Sequence, residues 1–577
     1  MRTAKVIVIL LLVGALAACD SVLDESPTGN LSGDQLATPN RVESLVVSAY
    51  AALGNGHWTA STYTDPWPWG SVRSDNAYKG GGSVSDQGEY NNYEQFAPVR
   101  PDLQKADQFW FEAYKGISRA NLALEKMSEL SEEEYPEKTT RQAEVRFIRG
   151  HFYFMLKVMF KHVPFIEAGE ERELKTISNR EYTSQELWDK IAADFQFAAD
   201  NLPPSQAERG RADQWAAKAY LAKTRLYQAY RQDSTNHQVV EIQDDKLQEV
   251  VSLVTELQSA GEFSLFDDYR RNFLWEFDNT QGGEAVFAIQ RSRDDGTVQG
   301  RVNMETGLNY PMNPEFGCCW FHVPSQNFVN TFQTEDGLPL FDTFNQNALT
   351  EPQDFEQNTV DPRLDHTVAI DTHPFKYDPD HVYTPDEWAR AVATYGEFSA
   401  MKGIQPVGSP AVEQVGPFYA SSKNNAVIRY ADVLLWKAEA LIELGQPNEA
   451  LPIINQIRSR AANSTVTGAD GTPVSNYDVA TYQDGQNINW TQETARQALR
   501  FERRLELGME GWRFFDLVRW GIAAETLNDY FDAEEERREY LQDAQFREGR
   551  DEYLPIPQQQ IDFSDGAYVQ NPGWTGG

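Results

Sequence analysis

Arg429-Tyr430-Ala431-Asp432-Val433-Leu434-Leu435-Trp436-Lys437-Ala438-Glu439-Ala440-Leu441 runs on to Gly445-Gln446-Pro447, and Glu449 to Ala461 follows at once. Ala431, Leu434, Ala438 and Leu441 recur at steps of three and four, which places them on one helix face. Gly445 suits a helix C-terminus, and Pro447 just beyond it marks the stop. In the next segment Ala450, Ile453, Ile457 and Ala461 keep the helical register. The stretch therefore predicts a helix, a short turn and a second helix, with small residues where the two cross.

The same pattern recurs outward along the chain. Ala106 to Leu130, Arg141 to Phe160, the Ala-rich Arg211 to Tyr230 and Thr491 to Phe515 all carry helical periodicity. Helix–turn–helix units with small residues at the crossing are the grammar of tetratricopeptide-like pairs, here degenerate and not contiguous. Strand candidates are short, such as Ala285 to Arg291 and Thr367 to Ile370. Between the helices lie long irregular stretches, near 55–100, 293–325, 340–425 and 462–490. Loops of that length are functional or disordered, and their Trp and Tyr content disfavours disorder.

Across 577 residues, 87 Asp and Glu outweigh 51 Lys and Arg, a formal charge of −36. That excludes a general nucleic-acid binder, which needs a basic face. It also argues for a neutral ligand over a polyanion unless a local basic patch intervenes. The one long apolar run, Val6 to Leu16, follows Arg2 and Lys5 and is too short to span a bilayer comfortably. A polytopic membrane protein is thereby excluded. The run ends in Leu16-Ala17-Ala18-Cys19, which resembles the lipobox of bacterial lipoproteins. That resemblance implies a signal peptide over 1–18, cleavage before Cys19 and acylation of its thiol. The remaining cysteines, Cys318 and Cys319, are adjacent. They close a vicinal disulfide or stay as two partly buried thiols.

Taken in order, these segments resemble the SusD/RagB family of surface lipoproteins. The signature runs from Leu23-Asp24-Glu25-Ser26-Pro27 through Trp110-x-x-x-Tyr114-x-x-Ile117-x-x-x-Asn121 and Ala143-Glu144-Val145-Arg146-Phe147. It continues with Gly210-Arg211-Ala212, the Arg429 segment, Asn455-x-x-Arg458-x-Arg460-Ala461 and Glu502-Arg503-x-x-Glu506-Leu507-x-x-Glu510-Gly511. Asp516-Leu517-x-Arg519-Trp520-Gly521, Leu554-Pro555-Ile556-Pro557 and Gln570-Asn571-Pro572-Gly573 close it. The resemblance implies one mostly α domain over 19–577, with few short strands. A tetratricopeptide-type scaffold would occupy mainly 40–54, 104–260 and 428–521, and a loop-rich ligand-binding half mainly 55–100 and 265–425. It also implies no enzymatic activity and no cofactor. The protein would sit lipid-anchored at the outer-membrane surface, bind a glycan, and partner a TonB-dependent, SusC-like transporter.

Two loop windows concentrate aromatic residues beside polar ones. The first holds Trp58, Tyr63, Trp67, Trp69 and Tyr78, with Asp75 and Asn76 beside them; the second holds Tyr310, Trp320 and His322. Sugar rings lie well on flat aromatic faces while Asp and Asn bind hydroxyls. These ten residues are the ligand-contact candidates, and the competing reading is that the rings anchor the loops on the scaffold. Glu502, Glu506 and Glu510 share one helix face, read as an ion-pair network rather than an acid–base pair because no nucleophile or water-activating partner is apparent. Asp371, His373, Asp378, Asp380 and His381 form the densest His/carboxylate patch, read as a turn-rich polar loop rather than a metal site. The alternatives are a secreted glycoside hydrolase, for which no motif places two carboxylates, and a peptide-binding scaffold.

Overall fold

The computed structural model describes residues 33–54, 56, 64–297 and 300–574. Cys19, Trp58 and Tyr63 lie outside the described residues. The principal helices are α1 (Pro39–Leu53), α2 (Gln104–Ser128), α3 (Lys138–Phe160), α4 (Ser184–Asn201), α5 (Gln214–Ala229) and α6 (Asp244–Ala260). After a long loop-rich stretch come α7 (Tyr430–Glu443), α8 (Pro447–Ala462), α9 (Gln492–Leu507), α10 (Arg513–Trp520) and α11 (Ala523–Glu534). Each of α2 to α6 packs on its predecessor, α7 packs on α6, and α8 and α9 both pack on α7. The helices thus form a continuous curved stack although more than 160 residues separate α6 from α7.

Local chemistry explains the joints. Past α7, Gly445 adopts φ +75°; its N–H bonds to the Ile442 carbonyl and that of Gln446 to the Leu441 carbonyl, closing a Schellman motif. Pro447 then opens α8, where a missing N–H costs nothing. α4 starts in a full capping box between Thr183 and Glu186. One expectation fails. Thr491 to Phe515 is not a single helix, because the chain breaks between Leu507 and Arg513. A side chain at Gly508 would meet the Phe328 ring, and one at Gly70 would collide with the Gly511 backbone. The break admits the 66–70 segment against the scaffold.

Strands are short and pair two by two, all antiparallel. Two pairings position the loop half. β1 (Ala77–Gly80) pairs with β3 (Phe321–Pro324), Tyr78 opposite Val323. β2 (Ala285–Ile289) pairs with β4 (Asn425–Arg429), which runs straight into α7. Cys318 and Cys319 are joined as a vicinal disulfide just before β3. Apolar side chains from the helices and from both aromatic windows merge into one large buried cluster. A smaller cluster in the loop half gathers Tyr310, Phe316, Phe375 and Trp388.

The charged set on α9 is an ion-pair network. Glu506, fully buried, binds Arg363, Arg429 and Arg460. Glu502 binds Arg363 and Arg458, and Glu284 binds Arg429 and Arg460. A second network joins Arg503 to Asp432 and Asp516, and Arg519 to Glu439. Burial alone would raise the Glu506 carboxyl, but Arg460, Arg429 and Arg363 outweigh it and hold it well below the usual carboxylate range. Breaking a buried network on one side strands the opposite charges, typically at a cost of ~3–5 kcal/mol. Glu506→Gln is expected to lose stability of that order in chemical denaturation of the full chain. A loss below about 1 kcal/mol, the size expected of a surface pair, would show that the network does not hold the scaffold.

Candidate functional site

A polar cavity of about 100 Å³ opens where the loop half meets the scaffold. Its walls come from Thr64 and Asp65, from the 303–309 loop, from His322 on β3, from Lys402 and Gly403, from the 423–429 segment entering α7, and from the α9–α10 break. Segments far apart in sequence converge because the β1–β3 and β2–β4 pairings bring them there.

Glu305 organises one wall. Its carboxylate accepts the Thr64 hydroxyl at 2.6 Å and the Asp65 and Thr64 N–H groups at 2.6 and 3.1 Å. Its carbonyl accepts the Trp67 indole N–H at 2.9 Å. Glu510 organises the opposite wall. It takes Arg429 in a bidentate pair, at 2.8 and 2.9 Å, and Lys402 at 2.8 Å. The Lys402 ammonium also donates to the Tyr269 hydroxyl and the Glu506 carbonyl. The charged walls are therefore satisfied and rigid.

Three lining groups are not. Thr306 Oγ1, Asn309 Oδ1 and His322 Nε2 are buried and have no hydrogen-bond partner among the described residues. An orphaned buried polar atom that lines a cavity is open to a bond from a ligand or water there. Burial pushes the His322 imidazole down to about 3, so the ring is neutral at physiological pH. The Asp65 carboxyl is pushed up to about 8 by burial, then by Glu305 and Glu510, with Arg291 opposing. At neutral pH it carries a proton and can donate as well as accept. The cavity thus presents neutral hydrogen-bonding groups inside a charge-balanced frame, which suits hydroxyls.

The structure separates the residues singled out in the sequence. His322 borders the cavity. Trp67, Trp69, Tyr78, Tyr310 and Trp320 are fully buried. The Trp67–Ser71 segment coils into a single π-helical turn, Val72 N–H bonding to the Trp67 carbonyl, and this turns both indoles inward. Trp69 packs edge-on against Tyr90, Tyr93 and Phe109, Trp67 edge-on against Tyr90 and tilted against His322, and Trp320 edge-on against Tyr395. The Tyr78 hydroxyl donates to Glu534 and accepts from the Gln326 N–H. Asp75 takes a bidentate Arg513 at 2.9 Å, and Asn76 accepts from Arg504. In this structure Trp67, Trp69, Tyr78, Trp320, Asp75 and Asn76 are taken up by the main core and its helices, while Tyr310 packs within the loop half against Phe316 and Tyr419. The residues with unmet bonds, Thr306 and Asn309, and their neighbours Asp65, Glu305 and Lys402, were not picked out from the sequence. One signal pointed there: Asn303, Glu305, Thr306 and Asn309 immediately precede the second aromatic window.

The histidine-rich loop does not assemble a cluster. His373 Nδ1 bonds Asp365 at 2.6 Å, and His381 Nδ1 bonds Asp378 at 2.9 Å. Among the described residues no group of three or more His, Cys, Asp or Glu is placed to hold a metal ion.

Two outcomes follow from these placements. Trp67→Ala, Trp69→Ala and Trp320→Ala each empty a fully buried indole site, so each is expected to cost ~3–5 kcal/mol and to lower the thermal midpoint. Unchanged midpoints would reveal rings free to face a ligand. Asp65 makes a pH-dependent contribution of the opposite sign to an ion pair. Its folded-state pKa lies above the unfolded value of about 4, so the folded chain binds the extra proton. Stability therefore falls as pH rises from about 4 towards 8. Asp65→Asn removes that loss, and the midpoint gain over the unsubstituted chain should be larger at about pH 8.5 than at about pH 5.5. Equal gains at both would place the Asp65 pKa in the ordinary range.

Comparison with known proteins agrees with the scaffold. The family model described as "SusD family" matches residues 283–574, and one described as "Starch-binding associating with outer membrane" matches residues 22–226. A SusD-like protein P38 of Formosa agariphila is 26% identical over 539 residues, covering 90% of this chain and 91% of that one. Among solved structures, a SusD homolog from Bacteroides thetaiotaomicron superposes with a TM-score of 0.70 at 20% identity, covering 93% of this chain and 98% of that chain. Surface glycan-binding protein A from the same species, in complex with laminarihexaose, gives 0.66 at 19% identity, covering 92% and 99%. These superpositions show a shared fold. With the family model matching residues 283–574, just over half of its length, the chain belongs to the SusD family.

Proposed function

We propose that this chain is a glycan-capturing lipoprotein of the outer-membrane surface, anchored through an acylated Cys19, which binds an oligosaccharide and passes it to a TonB-dependent, SusC-like transporter without cleaving it. The observation that carries the binding role is the convergence of Thr306, Asn309 and His322 on one cavity with their hydrogen bonds unmet. Hydroxyl groups of a sugar complete all three. The cavity admits the hydroxyl-bearing edge of one ring rather than a whole ring, so the rest of the ligand lies outside it. The family's association with glycans and the outer membrane, and a structural neighbour solved with laminarihexaose, support this reading. The ion pairs of Glu502, Glu506 and Glu510 support the non-enzymatic part, since each carboxylate already serves an arginine. Among the described residues no helix is long and apolar enough to cross a membrane, in keeping with attachment through a lipid.

The test is isothermal titration of the full mature chain against a panel of neutral oligosaccharides, with reducing ends assayed in parallel. Binding without release of reducing ends is expected. Asn309→Ala should weaken it about tenfold, the worth of one good hydrogen bond to a buried group, at nearly unchanged midpoint. A panel with no binder, release of reducing ends, or an Asn309→Ala chain that binds normally would each overturn the assignment.

A further inference from the structure

A second concavity, of about 860 Å³, lies between α9, α11 and the 341–345 loop, and it shares no lining residue with the cavity described above. Along α9, Arg496, Arg500 and Arg504 recur at four-residue steps and so share one face. In a chain this acidic, such a row is the local basic patch that the overall charge would not predict.

The arginines are not equivalent. Arg496 is held by Glu443 in a bidentate pair at 2.7 and 2.8 Å. Arg504 is held by Asn76 and Asn327, at 2.9 and 2.7 Å. Arg500 makes no hydrogen bond or ion pair among the described residues. Its Nε is buried without a partner, and its guanidinium stands 5.1 Å from the centre of the Trp520 ring. Burial lowers its pKa, with Tyr230, Glu439 and Glu443 opposing and Arg496 adding to the shift. A guanidinium presents five donors in a planar fork and is found with a carboxylate or an oxyanion wherever it is shielded from water.

The same groove is lined by three half-buried phenyl rings. Phe341 and Phe344 both meet Phe501 edge-on, at centroid distances of 5.1 and 5.7 Å. Flat apolar rings in one groove with an unpaired guanidinium match a molecule with one apolar face and an oxyanion substituent. A sugar ring bearing a carboxylate or a sulfate ester is such a molecule. Asp342, Glu493, Glu525 and Asp529 also border the groove, but all four are exposed and screened by solvent. They disfavour a densely charged polymer and leave room for a ligand whose anionic groups are sparse.

We propose that this groove is a second carbohydrate subsite, specific for a sugar residue that carries an anionic substituent, with Arg500 as the counter-ion and the Phe341, Phe344 and Phe501 rings against the apolar face of the sugar. The chemistry shared by uronates and sulfate esters is an oxyanion that offers two acceptor oxygens to a guanidinium fork, and the two sources separate experimentally.

Titrating the full mature chain with a neutral oligosaccharide, an oligo-uronate and a sulfated oligosaccharide of equal length tests the assignment. At least one anionic probe should bind more tightly than the neutral one, and added salt should weaken it. The uronate winning or the sulfate ester winning each supports the site and names the substituent. Arg500→Gln should weaken the anionic probe about tenfold or more, as expected for loss of a charged hydrogen-bonding partner, and leave the neutral probe unchanged. Arg500→Lys, which keeps the charge and loses the fork, should recover part of the affinity. The side chain is not fully buried, so both variants should melt with the unsubstituted chain. Equal affinity for neutral and anionic probes, unaltered anionic binding by Arg500→Gln, or displacement of the anionic sugar by an acidic peptide at lower concentration would overturn the proposal.

Discussion

Everything in the scaffold leans on a carboxylate that has no contact with water. Glu506 sits at the end of α9 and binds Arg363 from the loop half, Arg429 from the last residue of β4, and Arg460 from α8. Three segments that packing alone would hold only loosely in register are thereby fixed at one point. Desolvating four charged side chains is expensive, and the Coulomb gain offsets it only when every lone pair and every N–H is placed. That requirement explains why the neighbours Glu284 and Glu502 are buried too. Each takes up the guanidinium hydrogens that Glu506 cannot reach.

The same constraint carries into the cavity. Arg429 binds Glu506 with one nitrogen and Glu510 with two others, and Glu510 in turn fixes Lys402. A wall of the site is thus an extension of the core network rather than a loop resting on it. Across the cavity Glu305 does comparable work for Thr64, Asp65 and Trp67. A site framed on both sides by satisfied charges loses little entropy on binding, since its unmet groups are already held in place. Thr306, Asn309 and His322 would not need to move to meet the proposed ligand.

What could be seen in the sequence follows from periodicity. α2, α3, α5, α7 and α8 fall within a few residues of where the apolar spacing places them, and the Gly445–Pro447 turn forms as those two residues demand. α9 and α10 read as one helix because Leu507 and Phe514 continue the apolar pattern. Only the close approach of Gly70 to Gly511, a contact across 440 residues, breaks it. The aromatic windows show the opposite limit. An irregular segment has no period, so the sequence says that Trp67, Trp69 and Trp320 are flat and numerous but not which way they face. The π-helical turn at 67–71 decides that, and it depends on Glu305 from far along the chain. The cavity groups were hidden for a related reason: Thr306 and Asn309 are ordinary loop residues until burial removes their water.

Net charge misleads in the same way that composition does. The excess of 36 negative charges describes the surface averaged over the whole chain, whereas recognition depends on the few groups that solvent does not screen. The two concavities make the point from opposite sides. Around the first, Glu510 pairs with Lys402 and Arg429, Lys423 with Asp278 and Asp432 with Arg503, and with those charges met hydrogen bonding is the unmet demand. Along the second, five acidic side chains meet four basic ones, yet Asp75 is taken by Arg513 and the other four acids are exposed, while Arg500 is largely shielded and unpaired. The weakly screened charge there is positive. On the proposed assignments a strongly acidic protein holds a neutral sugar edge in one place and an anionic substituent in another, and the depth of each charge, not its count, sets which ligand each place accepts.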